Sequence, residues 1–166
     1  GMTENFRMNR LLMWIQPENY SSGIGYQTVQ GLYAIGSGGL FGKGLGKSLQ
    51  KLGFIPESQN DMIFSIICEE LGLFGAMCII LVFALMLWRI IHIAQNAPDL
   101  FGTMLAAGVF AHVAVQVVLN IAVVTNFIPN TGVSLPFISY GGTASFFLLL
   151  EMGIVLNISS KIRLER

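Results

Sequence analysis

The chain of 166 residues is 54% hydrophobic and only 11% charged, and its lysines and arginines (9) balance its aspartates and glutamates (9). Soluble domains carry about 25% charged residues, and here the depletion falls in blocks, which argues against a soluble all-helical core with a polar outer face. A net charge of zero gives no basis for a nucleic-acid partner.

Gly1-Met2 reads as an expression scar, and Gly1 to Arg10 holds no apolar lead-in, so a start inside a larger protein is expected. Residues 1–63 are mixed in polarity, rich in glycine, and expected to lie outside the membrane. Leu11 to Ile15 is an apolar patch too brief to span, and Pro17 to Gly25 reads as a turn. From Gly25 to Ile35, Tyr26, Val29 and Tyr33, with Gln30 and Leu32 beside them, fall on helical spacing, as in a short interfacial helix. Gly36 to Lys51 then interleaves glycines with Lys43, Lys47 and Lys51. Gly46-Lys47-Ser48 has the ending of a phosphate loop, but Phe41 stands where that pattern needs glycine, and no alternating strand precedes it. Two readings stay open for this segment: a flexible outer loop, or a cradle for an anionic lipid headgroup with the lysines as counter-charges.

No charged residue occurs from Leu71 to Trp88, so Asp61 stands just before a membrane-length run. Charge so close to hydrocarbon is costly and needs a reason. Glu57 and Asp61 are four apart and would share a face on a helix. Such a pair can hold a cation or divide acid and base roles; the plainer alternative is capping a helix start. Of Glu69 and Glu70, one is expected to snorkel and one to face protein. Cys68 and Cys78, ten apart on one helix, cannot pair and read as small buried apolar residues.

Three segments are expected to cross a bilayer: 64–93, 102–125 and 142–160, the last carrying Glu151. Loops 94–101 and 126–141 join them, and a basic tail, 161–166, follows. Arg89 and the tail fall on one side, which the positive-inside rule makes cytoplasmic; Lys43, Lys47 and Lys51 lie in a long loop where that rule weakens. Asp61 then faces outward. His112, Gln116 and Asn120 recur every four residues as one inward polar stripe, for helix packing or for a proton or substrate path. Glu151 has no evident partner in the sequence. The expected class is an all-α integral membrane protein: a large extracytoplasmic loop with short interfacial helices, then three transmembrane helices.

Several stretches together resemble one family. Gly36-Ser-Gly-Gly-Leu-Phe-Gly42, Gln50-Lys-Leu-Gly-Phe-Ile-Pro-Glu57, Asp61-Met-Ile-Phe64 and Glu69-Glu-Leu-Gly72 come in order, followed by Gln116, Asn120-Ile-Ala-Val-Val124, Pro129, Thr131-Gly132 and Leu135-Pro-Phe-Ile-Ser-Tyr-Gly-Gly142. They are similar to the SEDS family of FtsW, RodA and SpoVE type. Asn60 stands where that family has threonine and Met62 where it has phenylalanine; neither change removes a charge. The resemblance implies a fragment of a ten-helix fold in the bacterial cytoplasmic (inner) membrane. It further implies polymerisation of lipid II into glycan strands beside a class B penicillin-binding protein; a lipid II flippase or a non-catalytic scaffold is the alternative. Asp61 takes the place of the family's essential aspartate, as general base. Lys51 first, then Lys43, with Glu57 and Gln30, are expected to bind substrate. A Mg2+ or Mn2+ ion on Asp61 and Glu57 is the other candidate for neutralising the pyrophosphate. Gln116, Asn120, Ser139 and Tyr140 are expected to be structural polar residues.

Overall fold

The computed structural model describes residues 14–15, 24–47 and 60–162; Lys51 and Glu57 lie outside them. Within these, four helices follow one another: α1 Ile24–Gly38, α2 Ile63–Gln95, α3 Leu100–Val124 and α4 Gly142–Ser160. No strand occurs among the described residues. The last three helices are long and apolar enough to cross a membrane, and the fold is that of an all-α membrane protein.

Packing follows the logic of helices in lipid, where small residues meet and large ones face outward. On α1, Gly31, Ala34 and Gly38 are buried. A Cβ on Gly38 would run into the Cys68 carbonyl, and one on Gly31 would touch Met62 and Ser65. So α1 lies against the start of α2 along its small residues. Tyr33, on the same helix, is 61% exposed. α2 buries Ala76, Phe83, Ile90 and Ala94, while Leu81, Val82, Leu85 and Trp88 stay exposed. α3 answers with Gly102, Ala106, Val109, Val113, Val117, Asn120 and Val124, at spacings of three and four.

α2 differs from the single span expected at 64–93. Gly72 is non-helical, at φ 69° and ψ −167°, a region open essentially to glycine alone. The helix therefore breaks, leaving 73–95 as its longer unbroken part, about 35 Å at 1.5 Å per residue. Breaking a helix exposes backbone groups that hydrocarbon cannot satisfy. The glycine segment after α1 supplies the partners. The amides of Lys43 and Gly44 donate to the carbonyls of Glu69 and Glu70, both at 2.9 Å, and those of Leu73 and Phe74 donate to the carbonyls of Gly39 (2.9 Å) and Leu40 (3.3 Å). The fit is close enough that a Cβ on Gly42 would strike the Glu70 carbonyl. Gly39 to Gly44 is thus neither a flexible outer loop nor an anion cradle. It is a backbone splint on a broken helix.

Candidate active site

Asp61 lies in a turn, residues 60–62, that leads into α2, and it is buried. Met62 takes the N-cap position and makes no side-chain cap bond. Asp61 thus stands one residue before the N-cap, not at it. The carboxylate stands at the positive end of α2, a favourable place for an anion.

Three elements converge on this turn. From α1, Gln27 Nε2 donates to Asp61 Oδ1 at 3.4 Å. From α3, Asn120 Nδ2 donates to the backbone carbonyls of Asp61 at 2.9 Å and Val133 at 2.8 Å. From the loop before α4, Ser139 Oγ donates to the Asn60 carbonyl at 2.6 Å and accepts from the Leu135 amide at 2.8 Å. Leu135 and Pro136 are fully buried, and Phe137 takes a positive φ of 63°, so the turn that carries Ser139 is tightly determined. Trp14 Nε1 also donates to the Asn126 carbonyl at 3.0 Å, fastening Trp14 to the same end.

The remaining sequence candidates scatter. Gln30 is half-buried on α1, and the glutamine that reaches the carboxylate is Gln27. Gln27 was missed although it continues the spacing of Gly31, Ala34 and Gly38; that small-residue stripe was the available signal. Lys43 Nζ pairs with Glu69 Oε1 at 2.7 Å, where the Glu69 side chain is fully buried and that of Lys43 is 34% exposed. Glu69 is the member of its pair that faces protein; Glu70 is half-buried, with a buried Oε1 that has no hydrogen bond. Gln116 also buries an unpaired Oε1. Tyr140 is 78% exposed and makes no hydrogen bond among the described residues. Nor does His112 continue the stripe of Asn120. Its Nδ1 lies 2.9 Å from Glu151 Oε2, which gives Glu151 the partner the sequence did not show. α3 and α4 are antiparallel neighbours, and these two residues sit at their midpoints.

Comparison with known proteins bears on this site. The sequence profile of the FtsW, RodA and SpoVE family, described as "Cell cycle protein", matches residues 1–164. Stage V sporulation protein E of Bacillus subtilis is 48% identical over 154 residues, which cover 93% of this chain and 42% of that protein. A probable peptidoglycan glycosyltransferase FtsW of Trichlorobacter lovleyi is 44% identical over 159 residues, covering 96% and 42%. The chain thus spans about two fifths of the length of these curated relatives. Among solved structures, a mutant of the Thermus thermophilus rod shape determining protein RodA aligns with a TM-score of 0.61 at 30% identity, over 81% of this chain and 41% of that one. A chain from a peptidoglycan synthase complex aligns with a TM-score of 0.74 at 24% identity, over 96% and 43%, which is a likeness of fold. A family profile over nearly the whole chain, relatives at this identity, and the fold agree: this chain belongs to the FtsW, RodA and SpoVE family.

Proposed function

We propose that this chain carries the catalytic base of a peptidoglycan glycosyltransferase that polymerises lipid II. The observation that carries the reading is Asp61. It is a buried carboxylate at the head of a membrane helix, bonded by Gln27 and held by its backbone, in a chain 44% identical to a probable peptidoglycan glycosyltransferase. The acceptor sugar's 4-hydroxyl gives its proton to Asp61 as its oxygen attacks the donor's anomeric carbon. The bond from that carbon to the pyrophosphate oxygen breaks, and undecaprenyl pyrophosphate departs. A base must come within about 2.6–3.2 Å of the proton it removes.

The leaving pyrophosphate needs positive charge. Lys51 is the proposed source, with Gln30 and Glu57 as further substrate contacts. Lys43, already paired with Glu69, is left the lesser share. A Mg2+ or Mn2+ ion on Glu57 and Asp61 is the competing source; among the described residues no three His, Cys, Asp or Glu side chains converge on one point. The proposed setting is the bacterial inner membrane, with a class B penicillin-binding protein as partner and Asp61 on the outer side. Cysteine labelling from outside is expected to reach position 58 and miss position 160; the reverse pattern would overturn this sidedness. For the chemistry, the test is Asp61→Asn in the full-length protein, assayed with purified lipid II. It is expected to bind lipid II and make no polymer, while Lys51→Ala binds lipid II more weakly. Normal polymer yield from Asp61→Asn would remove the base.

A further inference from the structure

Asn120 is completely buried, yet it lies on a helix whose other buried residues are apolar. Its side chain has two N–H donors, and both bonds run to backbone carbonyls of other segments: Asp61 and Val133. Ser139 makes a second bridge of the same kind. It takes the amide of Leu135 and gives its own proton to the carbonyl of Asn60. Two consecutive peptide carbonyls, those of Asn60 and Asp61, are thus each gripped by a side chain from a different element. The grip falls on the backbone and not on the carboxylate, which Gln27 reaches from α1.

Asn60 and Asp61 lie in a turn, where carbonyls have no helical ladder to satisfy them and water is the usual partner. Buried carbonyls need donors, but any donor would serve that need. These two donors come instead from parts of the chain 59 and 79 residues away. They fix the turn against α3 and against the Leu135–Ser139 turn at once, which sets where the Asp61 side chain starts. A misplacement of about 1 Å can reduce catalysis by about 100-fold.

We infer that Asn120 and Ser139 are positioning residues that hold the Asp61 backbone in register for proton removal, acting on turnover and not on binding. This inference rests on the reading of Asp61 as the base. Gln116, one turn before Asn120 on α3, makes no bond to this turn among the described residues, where Asn120 and Ser139 do.

The experiment uses the full-length protein and steady-state polymerisation of lipid II. Asn120→Leu also severs α3 from the loop at Val133, so Ser139→Ala is the cleaner variant. It leaves the buried Leu135 amide and the Asn60 carbonyl without this partner, so turnover is read per folded protein: kcat is expected to fall by about 10- to 100-fold, with KM within about threefold. Ser139→Thr, which keeps the hydroxyl, is expected to recover most of that turnover. Gln116→Leu serves as the comparison and keeps wild-type kcat. Wild-type kcat in Ser139→Ala would overturn the inference. So would a loss that matches the loss of folded protein, or one that Ser139→Thr fails to rescue. Asp61→Asn in the same assay separates the two levels. No polymer from it alongside full turnover in Ser139→Ala defeats the positioning role alone; full turnover from Asp61→Asn defeats the base, and the inference with it.

Discussion

The two ends of the helix bundle are built differently. At the Asp61 end, side chains reach across elements: Gln27 from α1, Asn120 from α3, Ser139 from the loop before α4. At the other end, the polar bonds among the described residues stay local. Asn96 Nδ2 donates to the His92 carbonyl at 2.8 Å, closing α2, and Asp99 Oδ2 accepts from the Gly102 amide at 3.2 Å, opening α3. A cleft of about 460 Å³ lies there between α3 and α4, lined by residues such as Phe101, Leu105, Ile154 and Lys161. Local caps fix where a helix begins. Bonds between elements fix where one residue stands relative to another, and a reacting carboxylate needs the second kind. The proposed chemistry belongs at the end built for placement.

The largest effect that would break this contrast is at the helix break. Gly72→Ala is expected to destabilise the protein by more than about 3 kcal/mol. The backbone conformation alone costs about 1–3 kcal/mol for other residues, and the Leu40 carbonyl carbon stands 2.7 Å from where the Cβ would go. Thermal unfolding in detergent checks it; a wild-type midpoint would mean that α2 runs straight through. Next in size is Asp99→Ala, at the locally capped end. Losing one cap bond is worth about 1 kcal/mol, and lipid II polymerisation should keep its turnover. A loss of turnover there would erase the distinction between the two ends. The smallest effect is expected from Gln116→Leu. Its buried carbonyl oxygen has no partner, so an apolar replacement of similar size should change stability by less than about 1 kcal/mol. A drop well beyond that, in the same unfolding measurement, would give Gln116 a partner.

That last expectation departs from the even spacing of His112, Gln116 and Asn120, which suggested one shared task. Spacing shows which residues share a helix face, but not what stands opposite each of them. Asn120 meets the turn at Asp61, His112 meets Glu151, and Gln116 falls between. The spanning helices were legible because length and apolarity are properties of each segment alone. The break was not, because Gly72 and Gly75 look alike in sequence, and only Gly72 meets the splint of Gly39 to Gly44. The same holds for Lys43. Its charge suggested a ligand for phosphate, whereas the fold places a buried glutamate 2.7 Å away. A buried carboxylate left unpaired is among the costliest arrangements in a protein. The resemblance implied Asp61 as the reacting residue, and the sequence offered Asn120 and Ser139 only as structural polar residues; what their side chains hold, the backbone carbonyls of Asp61 and Asn60, is presented by any residue type and leaves no mark in the sequence.

Two acidic residues put the central claim to a direct comparison. Asp61 lies at the tethered end, while Glu151 pairs with His112 midway along α4. Both can be made neutral with almost no change of shape, as Asp61→Asn and Glu151→Gln in the full-length protein. The decisive measurement is glycan polymer formed from lipid II by equal amounts of folded protein. Asp61→Asn is expected to form none, and Glu151→Gln to retain turnover. Polymer at the wild-type rate from Asp61→Asn would contradict the account, whatever Glu151→Gln did.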